Sequence, residues 1–394
     1  MSTIALPIFD DAQPLYVPDF QLTLDGAPAD EQRHEILSVT YRDSINEVDS
    51  FEFTVSNWDT EVGKPKYDPP SHEIYSAVFS PGTEVKLELG YKDALRTMTN
   101  GVITAIESSW SDGAPTLTVR GLNKLHSLRR IEHTKSWRDT TDSAIAHELG
   151  NMPISDAQPG LGMTVRTTPR NEPKLDFVSM HNQHDIMFLL ERARLNDYEV
   201  VLHEPDASSP KAPFLTFGPS HVTTQVYRLE WGKSLLSFRY TLDVSSQVGT
   251  MIVRGWDRRG NNHLEGRAHW RDVVTDSDER LRMEFIAPGF EKRSQVEAGQ
   301  VIPTQQEADS RARDLLRRRL KEMLQATGTT VGLPDLRAGR KIGIAGFVQR
   351  SEQGPPPVLG NLIEGEYFVT ESTHTIGTNG YRTDFKARRE GKLT

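Results

Sequence analysis

The sequence predicts a mainly β fold with an α+β insert: two antiparallel β-barrels per chain plus a small α/β domain. Three observations carry this. Apolar and polar residues alternate, strand fashion, in the first third of the chain and again from about residue 225 onward. Two short helical stretches break the pattern in between. The hairpin that ends the sequence has a second copy far upstream.

The first barrel is read from four stretches. In "SFEFTVSN", Phe51, Phe53 and Val55 point one way and Glu52, Thr54 and Ser56 the other, the signature of a half-buried strand. "EVKLELGY" places Val85, Leu87, Leu89 and Tyr91 on one face. "GVITAIESSW" and "PTLTVRG" flank Ser111-Asp112-Gly113, where an Asp-Gly pair tolerates the positive φ of a tight hairpin. This gives a β-domain over 1–127.

Residues 128–222 read as an α/β insert. "DTTDSAIAHELGN" carries cap-type residues, then Ala144, Ile145 and Leu149, then Gly150 as a stop. "NQHDIMFLLERARL" is a second helix with Ile186, Leu189, Leu190 and Ala193 buried and Asn182 as N-cap. After it, Asn196 is a candidate left-handed cap. Residues 223–394 return to strands and form the second barrel, interrupted by a helix over 304–327. That helix opens on the capping box Thr304-x-x-Glu307 and has Gly328 as its C-cap. Ala308, Ala312, Leu315, Leu316 and Leu320 form its apolar stripe, and Arg311, Arg313, Arg317, Arg318 and Lys321 its other face.

Two segments match in order: strand, loop, Gly-started strand, turn, strand. Gly82 pairs with Gly339, Val85 and Leu87 with Ile342 and Ile344, Gly101 with Gly365, Glu107-Ser108 with Glu371-Ser372, and Gly113 with Gly380. A basic residue, Arg120 or Arg388, closes each copy. A duplication explains the final hairpin, because a closed barrel leaves no strand edge exposed.

Composition narrows the function. Net charge is −9, which excludes nucleic-acid binding by bulk electrostatics. The absence of cysteine excludes disulfides and thiolate chemistry. "MSTIALPIFDD" has neither a basic n-region nor an apolar h-region, so no secretory signal is expected. Apolar runs such as "MFLL" at 187–190 are too short to span a bilayer, so no direct membrane insertion is expected.

The stretches "GVITAIESSWSDGAPTLTVRGLNKLHSLRR", "NQHDIMFLLERARLNDYEVVL", "VRGWD" followed by "LEGRA", and "GEYFVTESTHTIGTNGYRTDFKARR" cover most of the chain in one order. In these the chain resembles the late control D proteins of contractile phage tails, and with them the hub part of type VI secretion spike proteins and of extracellular contractile injection systems. The resemblance implies a structural baseplate hub with two tube-like barrels per chain. It implies a homotrimer that presents six barrels, mates with a hexameric tail tube above and a three-fold spike below, and touches other baseplate proteins. Relatives often continue into the spike; ending at Thr394, this chain is expected to meet a separate spike protein. Assembly in the cytoplasm as part of a phage tail or tail-like particle, released or not, follows from the same resemblance.

No enzymatic role and no cofactor or metal is expected. His181-x-x-His184, with His147-Glu148, matches no zinc-protease spacing and reads better as caps and surface groups. Glu364 and Glu366 flank a glycine, and a baseplate-associated wall hydrolase with paired carboxylates is the main alternative, beside a carbohydrate- or receptor-binding β-module. The "RRRLK" run, with Asp309, Asp314 and Glu322 interleaved, reads as a solvated helix face or as a docking surface for an acidic neighbour, ahead of nucleic acid. Arg317, Arg318, Trp256, Arg388 and Arg389 are the candidate partner-interface residues, since forked and large rigid side chains dominate such contacts. They fit ordinary strand, turn and helix positions equally well.

Overall fold

The computed structural model describes residues 17–67, 78–110, 114–123, 125, 131–153, 160–204, 212–220, 223, 225–257, 260–298, 302–347 and 362–390. The expected turn at Ser111-Asp112-Gly113 lies outside them. The first barrel comprises β1 (Pro18–Leu24), the two-residue β2 (Ala27–Pro28), the single-turn α1 (Asp30–Arg33), β3 (Ile36–Ser44), β4 (Ser50–Ser56), β5 (Glu84–Tyr91), β6 (Ala94–Ser109) and β7 (Thr116–Asn123). Its strands neighbour one another in the order β3-β4-β7-β6-β5-β1. The alternation is physical: Phe51, Phe53 and Val55 are buried with Leu22, Leu87, Leu89, Met98 and Val119, while Glu52 and Thr54 face outward.

The chain then builds β8 (His133–Thr140), α2 (Asp142–Asn151), β9 (Val165–Thr167), β10 (Leu175–Gln183), α3 (Asp185–Leu195), β11 (Glu199–His203) and β12 (Phe214–Gly218) around Ile145, Leu149, Ile186, Leu189 and Phe217. Thr141 caps α2 by accepting from the Ala144 amide. The N-cap of α3 is His184; Asn182, expected there, lies at the strand end with φ 49°. After α3 the left-handed residue is Asp197 (φ 54°), and Asn196 has φ −104°. A short carboxylate tolerates that conformation as asparagine does.

The second barrel begins with β13 (Gln225–Glu230) and β14 (Leu235–Leu242). The chain leaves it to form β15 (Thr250–Asp257), β16 (Asn262–His269), α4 (Trp270–Val273), α5 (Ser277–Ile286), β17 (Ser294–Glu297) and α6 (Gln305–Lys321). It returns as β18 (Leu324–Val331), β19 (Lys341–Ala345), β20 (Gly365–Gly377) and β21 (Gly380–Arg389), in the strand order β14-β18-β21-β20-β19-β13. Tyr227, Leu229, Ala326, Ile342, Tyr367 and Phe385 fill it.

Helix α6 corrects the expectation of 304–327. Thr304 caps it by accepting from the Glu307 amide, but it ends at Lys321 and runs straight into β18. Gly328 is mid-strand, not a C-cap. A Cβ there would sit 2.6 Å from the Phe385 ring, so the glycine makes room for an aromatic. The apolar stripe of α6 does not lie on the barrel. Ala308, Ala312, Leu316 and Leu320 share a core with Val253, Ala268 and Trp270 of the β15–β17 unit.

The duplication is real at the level of backbone geometry, with its register shifted from the expected one. Gly82 and Gly339 both have positive φ (96° and 82°). The Gly82 amide donates to Ile103 O (2.8 Å) and Ile103 donates back to Thr83 O (3.0 Å); Gly339 donates to Val369 O (2.9 Å) and Val369 back to Arg340 O (2.8 Å). Ile103 therefore corresponds to Val369, and Gly101 to Tyr367 rather than Gly365. Irregularities fall at matched sites, between Ile103 and Ala105 and between Val369 and Glu371. A second matched pair lies between Ile36 and Ser38 and between Leu235 and Ser237. In this register Glu107 meets Thr373 and Arg120 meets Lys386. The copies differ at one edge: β1 pairs with β5 antiparallel, whereas β13 pairs with β19 parallel.

Candidate assembly interface

The two barrels share one continuous sheet. Strand β20 is long enough to pair with β21 along one edge and with two partners along the other. Its first residues take β19 (Ile344↔Gly365 to Lys341↔Phe368), and its later ones take β3 in antiparallel register, Glu371↔Ser44 to Ile376↔Val39. This β20–β3 junction joins the end strand of one copy to the middle of the other.

Under it lies a buried polar network. Arg337, from the loop before β19, donates to Asp43 Oδ2 (3.1 Å), to the Met98 carbonyl (2.6 Å) and to the Tyr41 hydroxyl. Asp43 Oδ1 accepts from the Ala338 amide (3.1 Å) and from Ser372. Ser372 meets His374 Nε2 at 3.0 Å, and His374 Nδ1 lies 2.9 Å from the Tyr381 hydroxyl and 3.1 Å from Thr383 Oγ1. Asp49 accepts from Asn123 (2.7 Å) and Tyr41 (3.2 Å). Burial pushes the Asp49 carboxyl up to about 7 and the Asp43 charge adds to it, against Arg337. Burial pulls the His374 imidazole down to about 4, so it stays neutral at pH 7. Burial alone would lower Arg337; Tyr41, Asp43 and Asp49 reverse this and hold its guanidinium above its usual value. A cation so placed cannot be removed without stranding its carboxylates.

A second network joins α6, the β8–β12 unit and the last strand, and it relocates two expected interface residues. Asp314 accepts from Arg317 (2.7 Å), and Lys321 donates to Asp197 (2.8 Å) and Ser220 (3.0 Å). Ser220 donates to Glu390 (2.8 Å), and Arg388 to Glu199 (2.6 Å). Burial raises Asp314 to about 6, against the pull of Arg317 and Arg170. Arg317 and Lys321 are buried and Arg388 largely so, so this part of the basic face of α6 is covered within the chain, while Arg313 is exposed. Asp197, Glu199 and Glu390 come from positions far from α6 in sequence, while Asp314–Arg317, at i,i+3, and Arg318–Glu322, at i,i+4, are local pairs. Arg389 is part-buried, donating to the Leu362 carbonyl (2.6 Å). Arg318 and Trp256 stay at the surface, Arg318 donating to the Arg194 carbonyl (3.2 Å) and Trp256 standing edge-on to His263.

The other polar candidates are dispersed. His184 Nδ1 lies 3.1 Å from the Ile131 carbonyl, and His147 is exposed beside Asn151. Glu364 accepts from the Phe347 amide (2.8 Å), while Glu366 reaches Lys341 (3.5 Å). Among the described residues no group of three or more His, Asp or Glu converges as a metal site would require, and no helix is long and apolar enough to cross a membrane.

Two barrels in one sheet, with α/β units attached, make this the fold of phage tail and type VI secretion proteins. The chain belongs to the family of the Alg8 N-terminal domain, whose model matches residues 16–376. It is similar to the 43 kDa tail protein of prophage MuSo2 from Shewanella oneidensis, at 11% identity and TM-score 0.65 over 96% of this chain and 100% of that one. It is also similar to a tail protein from Neisseria meningitidis, at 12% identity and TM-score 0.63 over 95% and 97%. A type VI secretion component of E. coli matches at 14% identity and TM-score 0.53 over 91% of this chain and 74% of that one. No curated protein matches by sequence.

Proposed function

We propose that the chain is a structural hub of a contractile tail or injection-system baseplate, acting by assembly rather than catalysis. Three copies form a ring of six barrels that mates with a six-fold tail tube on one side and a three-fold spike on the other. The observation that carries this is the doubled barrel within one sheet: each subunit offers two equivalent units, so a three-fold object can meet a six-fold one. The fold shared with phage tail proteins and a type VI secretion component supports it. In this reading residues 1–127 and 223–394 are the tube-like units and 128–222 an insert. The β15–α6 unit is a second insert, set into the second barrel. Trp256 and Arg318, at the surface, are the candidate contacts with other baseplate proteins. Assembly takes place in the cytoplasm.

The test is a mass measurement of the purified protein by light scattering, with particle images viewed down the ring axis. Three chains and six similar lobes are expected. A stable dimer, or a ring with three lobes, overturns the reading.

A further inference from the structure

We propose that helix α5 seats Leu281 and Phe285 in an apolar groove with a basic rim on a different protein of the same particle. This rests on the hub reading above and gives the second insert a docking element of its own.

Helix α5 is arranged the wrong way round for a helix that only meets water. A surface helix ordinarily turns its apolar groups to the core and its charges outward. Here Met283 is buried, but so is Glu279, which accepts from Arg282 Nε at 3.2 Å. Leu281 is 68% exposed and Phe285 63%, and no other large apolar side chain among the described residues is as exposed. Four positions apart, the two stand side by side on one helical face. A lone exposed leucine is ordinary, whereas two large adjacent apolar groups on a helix that buries its carboxylate mark a contact surface. Anchors at this spacing are how a helix enters a partner's groove.

The charges say what the groove carries. Asp278 and Glu284 are exposed, three positions to either side of Leu281, and neither side chain has an ion pair or hydrogen bond among the described residues. The bases of α5 are turned away from them. Arg280 donates to the carbonyls of Val274 (2.7 Å) and Arg271 (3.0 Å), and Arg282 goes to Glu279. Asp278, in the first turn, is favoured by the helix dipole. Glu284, in the last turn, opposes the dipole, and that turn holds no base. A cation on a partner relieves this, and the same cation gives the contact its direction. A second α5 does not fit, because ridge against ridge brings like carboxylates together. The occupant is therefore a groove with an apolar floor and Lys or Arg at its rim.

The test uses particles assembled in cells with the photo-reactive p-benzoylphenylalanine in place of Leu281, irradiated after purification. The expected product joins this chain to one different particle protein, at an apolar segment with Lys or Arg beside it. Phe285→Ala, and separately Asp278→Lys with Glu284→Lys, are each expected to lower the yield of that product about tenfold. The melting curve of the chain is expected to stay unchanged in both variants, since all three positions are exposed. Particles that contain the chain but give no product, or a product joining only copies of this chain, overturn the docking and leave the hub reading standing. A yield that survives the charge reversal overturns a basic-rimmed partner. Particles from which the chain is absent overturn both readings.

Discussion

The two barrels have nearly the same backbone and opposite situations. The end strand of the first, β3, lies under β20, and its inward residues Tyr41 and Asp43 are buried in a network centred on Arg337. The end strand of the second, β14, holds Tyr240 and Leu242 at the equivalent places, and both are exposed. Duplication supplies two such end strands, and among the described residues β3 has a strand on each side while β14 is paired with β18. The covered edge carries charge, which fixes register at a cost in desolvation. The other edge carries apolar groups, which are unfavourable in water and gain energy when buried.

The largest break in this comparison is Arg337→Ala. It leaves Asp43 beside Asp49 without a cation, and a loss of about 3–5 kcal/mol is expected in urea unfolding. A loss below 1 kcal/mol would mean that the junction is not ionic in the folded chain. Next comes α6, whose apolar stripe is buried together with Arg317 and Lys321 of its basic face. Leu316→Ala is expected to cost about 2–5 kcal/mol, and Arg317→Ala to cost a comparable amount by stranding Asp314. Arg318→Ala, at the surface, is expected to stay within about 0.5 kcal/mol. Equal effects of Arg317→Ala and Arg318→Ala would restore a solvated basic face.

Two matched glycines sharpen the comparison. Alanine at Gly82 has open space around its Cβ and meets only the left-handed backbone cost, about 1–2 kcal/mol. At Gly339 the same Cβ would lie 2.3 Å from Val201 Cγ1, which adds about 1–3 kcal/mol of overpacking. Thermal melts of the two variants should rank in that order, and the reverse ranking would separate Gly339 from the β11 strand.

The smallest effect is a pair of opposite pH slopes. An unfolded His374 takes a proton near 6.5 while the folded one waits until about 4. Its favourable contribution is therefore present above that window and is lost as pH falls through it. The deficit of His374→Gln should shrink from pH 7 to pH 4.5. Asp49 runs the other way. Held up to about 7, it favours the fold when protonated and loses that contribution as pH rises from about 4. Asp49→Asn should gain on the intact protein as pH climbs to 7. Each slope is limited to about 1.4 kcal/mol per pH unit. Parallel slopes in the two variants would show that the two groups do not titrate as described.

The strand pattern was legible because one face of each barrel strand is buried and the other wet, as at Phe51–Val55 and Tyr381–Ala387. The duplication was legible too, but its register was not. Gly101 and Gly365 share a letter for different reasons. A Cβ at Gly101 would strike the Leu122 carbonyl, whereas Gly365 opens β20 opposite Ile344 at φ 139°. Matching letters aligned them; matching hydrogen bonds moved the alignment by two residues. The surface reading of Arg317 and Arg388 failed because, beside the local Asp314, the carboxylates around them, Glu199 and Asp197, come close only in three dimensions. The β20–β3 junction left no sequence trace beyond Asp43 and His374, two polar letters inside otherwise strand-like runs.

The second insert leaves β14 and returns to β18 through a narrow neck. The Asp243 amide donates to the Met323 carbonyl at 2.9 Å, so the two backbone ends of the segment meet, while α6 ties it also to the β8–β12 unit through Arg311, Asp314 and Lys321. In the first copy the same position, between β3 and β4, is a short turn over residues 45–49. Chain-closure entropy grows only by about 0.6 kcal/mol for each doubling of loop length, so exchanging a turn for a folded unit at such a neck costs little. That makes 243–323 a cassette. Other sequences could be carried there, provided they keep the α6 groups that meet Arg170, Asp197 and Ser220, while the strand pairings of the two barrels stay as they are.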